Sequence, residues 1–194
     1  MKYEIEVNLS ETHIIEMSKI TLRPYQLSDV DDFMQWACNS EVLECILLQL
    51  WIKPNSSREE VVSYFNQVVV NHPWYQAICL DGRAIGFVVL EMQAGKYDFE
   101  RGRADLSYAL GREYWGRGIS PTALRIALSS AFHKFTNLVR IQALVGPGNK
   151  ASERVLQKVG FTKEGVLRQY AVLADGECLD ISMYSILSTD PILN

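Results

Sequence analysis

The stretch that decides the fold runs from residue 107 to residue 124 and reads Ser107-Tyr-Ala-Leu-Gly-Arg-Glu-Tyr-Trp-Gly-Arg-Gly-Ile-Ser-Pro-Thr-Ala-Leu124. It begins as a strand-like run, turns at two glycines, and continues with apolar residues of helical period. The helix should begin near Ile119 to Pro121, since a proline's missing N–H costs nothing in a first turn. Because that turn has unpaired N–H groups, it is a candidate phosphate cradle. An ordinary strand-to-helix turn is the alternative explanation.

The patterns on either side of this stretch predict a mixture of strands and helices. Two apolar runs, 74–80 and 84–92, flank an Asp-Gly pair and predict an antiparallel hairpin. Ser57 with two following glutamates predicts a helix start, and Asn149 and Gly160 bracket a short helix. Further strands are predicted at 20–24, 104–110, 140–145, 161–170 and 178–187.

Composition narrows the classes of protein to which the chain can belong. It has 194 residues, 48% of them hydrophobic, and a net charge of −4. This length supports one sizeable core, and the acidic balance argues against a nucleic acid partner. No apolar run has the length of a membrane span or signal peptide, so we expect a cytoplasmic protein without a membrane partner. The four cysteines have no metal-ligand spacing and are expected to be buried and reduced.

Five motifs, in chain order, resemble the general N-acetyltransferase (GNAT) superfamily and its ribosomal-protein N-acetyltransferase-like branch. They are Ala104-Asp-Leu-Ser-Tyr-Ala-Leu110, Tyr114-Trp-Gly-Arg-Gly-Ile-Ser120, Asn149-Lys-Ala-Ser152, Leu156-Gln-Lys-Val-Gly-Phe161 and Gly165-Val-Leu-Arg168. The resemblance covers about residues 20 to 187 and implies an α/β (α+β) fold. The fold expected from the resemblance is a mixed, mostly antiparallel sheet of about seven strands, accompanied by about four helices. The fourth and fifth strands of the sheet are expected to splay apart. We expect residues 1–194 to form a single acetyltransferase domain.

The resemblance also implies acetyl-coenzyme A (acetyl-CoA) as the donor, and the spacing of the cysteines and histidines predicts no metal. The residues it places at the coenzyme are Gly116, Arg117, Gly118, Ile119 and Ser120 at the pyrophosphate, the main chain of Tyr108, Ala109 and Leu110 at the pantetheine, and Asn149 and Ser152 nearby. Glu113 and Thr122 depart from residues common in the superfamily's loop and following helix. Because the loop binds through its backbone, both departures weaken the assignment little.

Two side chains are candidates for the chemistry of acetyl transfer. Asp105 matches a strand carboxylate of the family and is the candidate base for the acceptor amine, although an ion pair or a solvent-facing position explains it equally well. Ser152 could donate a hydrogen bond to the departing thiolate, or be an ordinary first-turn helix residue. Glu91 is an alternative base, or a solvated residue near the end of a strand.

The resemblance therefore implies an enzyme that transfers the acetyl group of acetyl-CoA to a primary amine by direct attack in a ternary complex. The acceptor could be a protein N-terminus, a lysine or a small amine. A catalytically inactive coenzyme-A-binding sensor or scaffold, and a transferase for another acyl donor, are the alternatives. No motif identifies the acceptor or the oligomeric state.

Overall fold

A mixed β-sheet forms the centre of the molecule. The computed structural model describes residues 19–46, 52–93, 101–173 and 176–193. Within these ranges seven strands lie in the order β1-β2-β3-β4-β5-β7-β6. The strands are β1 (Ile20–Pro24), β2 (Tyr75–Leu80), β3 (Arg83–Met92), β4 (Arg103–Leu110), β5 (Arg140–Val145), β6 (Thr162–Val172) and β7 (Cys178–Leu187). The α-helices are α1 (Val30–Ala37), α2 (Ser40–Glu44), α3 (Arg58–Tyr64), α4 (Ile119–Lys134) and α5 (Lys150–Val159).

These elements confirm the predicted fold class. Ser57 caps α3 in a reciprocal capping box with Glu60, and α4 begins at Ile119 as predicted. The described residues contain five α-helices where about four were expected. The additional one is the short α2, whose N-cap is Asn39; the Asn39 side chain accepts a hydrogen bond from the N–H of Glu41.

The predicted splay of the fourth and fifth strands is present. β4 and β5 pair in parallel over three residue pairs, ending at Asp105 opposite Gln142. All other neighbouring strands are antiparallel, and the pairing of β4 with β3 continues as far as Leu110. Residues 106–110 of β4 therefore have a backbone edge that β5 leaves open.

Helices cover both faces of the sheet, and the central strand β3 accordingly has buried apolar residues on both sides. Leu106 and Leu110 of β4 belong to a core that includes the buried side chains of α4 and α5. Ala109 belongs to a second core on the opposite face, with the buried side chains of α1 and α3. Successive residues of β4 thus point towards different helix pairs.

The cysteines only partly follow the expectation of burial. All four are free thiols, and Cys79 is buried in β2, but Cys45 and Cys178 are exposed. Cys45 follows the short α2 and Cys178 begins β7 at the edge hairpin, where few side chains cover it. No helix among the described residues is long and apolar enough to cross a bilayer. The N-terminal residues 1–18 and Asp175 of the predicted final turn lie outside the described residues.

Candidate active site

The glycine turn before α4 has the backbone shape that a close ligand contact needs. Gly116 and Gly118 both have left-handed backbone angles, with φ of 74° and 78°. Gly118 is the N-cap of α4, and no side chain forms a capping hydrogen bond there. Nothing lies within 4 Å of the position of a Cβ at Gly116. The first N–H groups of α4 and the turn backbone are therefore accessible to an anion.

The open edge of β4 has a defined set of main-chain groups. The N–H of Gly111, directly after β4, donates to the carbonyl of Ile85 in β3 (2.9 Å), so the odd-numbered residues pair with β3. Because successive residues alternate, Ala109 also directs its main-chain groups to β3. The residues whose main-chain groups face the open edge are Leu106, Tyr108 and Leu110. Tyr108 and Leu110, two of the three predicted pantetheine contacts, therefore present main-chain groups to the open edge, whereas Ala109 does not. Leu106 also faces this edge and was not predicted.

A cleft lies along this edge and consists of two neighbouring cavities. The first, of about 210 Å³, is lined by Asp105 and Ser107 of β4 and by the facing part of β5. The second, of about 150 Å³, reaches Gly116 and Ser120 at the turn. The residues that line both are Cys45, Ile46, Tyr108, Asn149 and Ser152. The cleft thus connects the surroundings of Asp105 to the glycine turn.

Asp105 is held firmly at the wall of the first cavity. The Gln142 side-chain amide donates to its Oδ1 (2.6 Å), and the Gln93 amide donates to its Oδ2. Arg140 Nε donates to Gln142 Oε1 (3.2 Å), which orients that amide. Since an ionised carboxylate can accept about four hydrogen bonds, Asp105 retains capacity for a substrate. Among the residues that the structure describes, its side-chain partners are therefore two amides and not the cation of an ion pair.

Glu91, the alternative base, is the direct cross-strand neighbour of Asp105. Its Oε2 lies 3.1 Å from Nε2 of His72, whose Nδ1 accepts the N–H of Trp74 (3.0 Å). This arrangement assigns the proton of a neutral His72 to Nε2. Among the described residues that line the two cavities, Asp105 is the one carboxylate.

Ser152 lies on the other side of the gap, in the first turn of α5. The Asn149 side chain accepts the N–H of Ser152 (3.0 Å) and so caps this helix. The Ser152 hydroxyl lies 2.7 Å from the Tyr108 hydroxyl. Burial raises the pKa of Tyr108 above its usual value, so its phenol stays protonated at neutral pH. The cleft therefore has a hydrogen-bonded pair of hydroxyl groups opposite the carboxylate.

Comparison with known proteins identifies the family. A family model described as an acetyltransferase (GNAT) domain matches residues 19–162. The chain belongs to the GNAT acetyltransferase family. Members of this family use acetyl-CoA. The chain is 30% identical to the uncharacterized N-acetyltransferase p20 of Bacillus licheniformis, over 89% of this chain and 94% of that protein.

Two further matches have more specific names. The ribosomal protein uS5-alanine N-acetyltransferase of Escherichia coli is 32% identical to this chain, over 44% of this chain and 43% of the E. coli protein. The structure of a spermidine N-acetyltransferase from Vibrio cholerae in complex with CoA and spermine aligns with a TM-score of 0.69 and 21% identity, over 89% of this chain and 97% of that one. At 21% identity, the likeness to the spermidine N-acetyltransferase shows a shared fold.

The remaining predicted site residues differ in whether they line the cleft. Gly116, Ser120, Asn149 and Ser152 line the cleft, whereas Ile119 is buried and packs in the core beneath it. The guanidinium of Arg117 lies 5.9 Å from the centre of the Tyr114 ring. The sequence did not predict the side-chain amides of Gln93 and Gln142 or the hydroxyl of Tyr108. The strand register, once known, would have pointed to Gln142, which pairs with Asp105.

Proposed function

We propose that this acetyltransferase transfers the acetyl group of acetyl-CoA to a primary amine, by direct attack in a ternary complex. The observation that carries the proposal is the cleft through the open edge of the sheet. It has a carboxylate, Asp105, on the face covered by α1 and α3 and a hydroxyl pair, Tyr108 and Ser152, on the face covered by α4 and α5. An acceptor and a donor that approach from opposite faces could meet in this gap.

Donor binding in this proposal uses mainly backbone groups. The pyrophosphate would accept hydrogen bonds from the turn between Gly116 and Ser120, where the positive end of the α4 dipole adds to the attraction. The pantetheine would pair with main-chain groups of Tyr108 and Leu110 that face the open edge. The carbonyl of Leu110 already accepts the indole N–H of Trp115 (2.8 Å), which leaves its N–H for the ligand.

The chemistry requires a neutral amine and a stabilised leaving group. As the amine nitrogen attacks the thioester carbon, the new C–N bond forms and the C–S bond breaks with its electron pair on sulfur. Asp105 would accept the proton that nitrogen loses, directly or through water. Ser152 would donate a hydrogen bond to the thiolate, which later takes a proton from solvent. No covalent enzyme intermediate is needed.

The acceptor class is the least defined part of the proposal. The names of the similar proteins include an alanine of a ribosomal protein and spermidine as acetylated groups. We expect two loops, 45–57 and 96–102, to lie on the acceptor side, and both fall partly outside the described residues. A peptide N-terminus, a lysine side chain and a polyamine are therefore the acceptors to compare. The cytoplasmic location and the single domain over 1–194 also stay predictions.

Calorimetric titration with acetyl-CoA, with free CoA as the comparison, tests donor binding first. Saturable binding is expected, and no binding at millimolar donor would refute the proposal. A second step offers the bound donor a peptide with N-terminal alanine, a lysine peptide and spermidine, and measures release of free thiol. Binding without thiol release for any amine would favour the inactive sensor. Preference for another acyl-CoA would identify a different donor.

A further inference from the structure

The function proposed above assigns no step of the chemistry to the hydroxyl of Tyr108, yet this group lies inside the cleft. Its oxygen is 2.7 Å from Ser152 Oγ and 3.4 Å from the Ser152 carbonyl oxygen. Tyr108 lines both cavities, and it packs against the core that contains α4 and α5. We propose that Tyr108 is a positioning residue for thiolate stabilisation, which acts through the hydroxyl of Ser152. This inference rests on the proposed transferase function.

Either hydroxyl lies in position to donate to the other, and the proposed role takes Tyr108 as the donor. A phenol is a better donor than an aliphatic hydroxyl, and both oxygens can accept. When Tyr108 donates to Ser152 Oγ, the single hydrogen of Ser152 is turned away from the phenol and is free for another acceptor. The Ser152 oxygen also becomes a stronger donor, because hydrogen bonds in a chain polarise one another.

The position of the pair determines which acceptor that hydrogen can reach. Ser152 lies across the gap from Asp105, and both line the first cavity. In the proposed arrangement the amine, deprotonated at Asp105, attacks the thioester carbon from the Asp105 side of the gap, and the thioester sulfur lies on the Ser152 side. Because burial raises the pKa of Tyr108, its O–H persists well into alkaline solution. Tyr108 keeps its own proton throughout: the nitrogen's proton goes to Asp105, and the thiolate is protonated from solvent after it leaves.

A double-mutant cycle on acetyl transfer tests this role. Ser152→Ala is expected to lower kcat about a hundredfold, the scale of losing one donor to a developing negative charge. Tyr108→Phe should lower kcat about tenfold, the scale of one indirect hydrogen bond. In the Ser152→Ala background, Tyr108→Phe should cause no further loss, because Tyr108 acts through the serine. The dissociation constant of acetyl-CoA should stay within about twofold in each variant.

Two further variants separate this role from a structural one. Tyr170→Phe removes an exposed phenol on β6 and should leave kcat unchanged. Tyr108→3-fluorotyrosine keeps the hydroxyl in a more acidic form and should retain wild-type kcat or exceed it. This variant keeps the test valid even if Tyr108→Phe folds poorly, because a low kcat in it would contradict the role.

The outcomes distinguish this inference from the proposed function. If the wild-type protein binds acetyl-CoA but transfers it to no amine, the proposed function fails and the role of Tyr108 fails with it. If the wild type transfers acetyl groups and Tyr108→Phe does so at the same kcat, only the role of Tyr108 is refuted. An equal loss from Tyr108→Phe in both serine backgrounds would also refute it, since the two residues would then act independently.

Discussion

Replacing Gly116 by alanine tests the anion cradle most directly. With φ of 74°, an alanine at this position should cost about 1–2 kcal/mol of folding free energy. No steric clash adds to this cost, because nothing lies within 4 Å of the new Cβ. The methyl group would instead occupy the space that a pyrophosphate needs to approach the turn. Loss of one charge-assisted hydrogen bond to the pyrophosphate, about 1.5–3 kcal/mol, corresponds to a roughly 10- to 150-fold larger dissociation constant for acetyl-CoA.

Gly82 provides a matched control for this substitution. It lies in the turn between β2 and β3 with φ of 84°, and its Cβ position is equally open. Gly82→Ala should therefore cause the same loss of stability, about 2–4 °C in Tm for each kcal/mol in a protein of this size. Only Gly116→Ala should weaken acetyl-CoA binding in a calorimetric titration. Equal affinity of the two variants for acetyl-CoA would refute the cradle, whatever their Tm values.

Three other substitutions test the base, a helix cap and an ion pair. Asp105→Asn should lower kcat about 100-fold or more with little change in the acetyl-CoA dissociation constant, and unchanged turnover in steady-state kinetics would remove Asp105 from the base role. Ser57→Ala breaks the capping box of α3 and should cost about 1 kcal/mol in denaturant unfolding, with acetyl-CoA affinity unaltered. Arg140 and Ser185 hold the pKa of Glu164 at about 2, below its usual 4.5. Its ionised form thus stabilises the fold above pH 4.5, and this contribution is lost as the pH falls to 2. Glu164→Gln should flatten the acid-unfolding curve between pH 4.5 and 2. Because the pair of Arg140 and Glu164 is partly exposed, the loss of folding free energy at pH 7 should be about 0.5 kcal/mol. An unaltered acid-unfolding curve would contradict the lowered pKa of Glu164.

Local chemistry explains which elements could be predicted. The hairpin of β2 and β3, the start of α4 at Ile119 and the cap of α5 at Asn149 depend on turn and capping residues a few positions apart. The short α2 escaped prediction because five residues carry no helical period. The sequence also did not predict that Cys45 is exposed, because this residue directly follows the unpredicted α2.

The sequence by itself determined the family, the strand and helix order, and the positions of the glycine turn and of the candidate residues Asp105 and Ser152. These properties reside in short motifs and in hydrophobic period. Only the tertiary structure decided which groups meet across the gap between β4 and β5. The pairing of Tyr108 with Ser152, and of Asp105 with Gln142, joins residues 44 and 37 positions apart. Such contacts depend on strand register and on where pairing stops, which are properties of the whole sheet and not of any local segment.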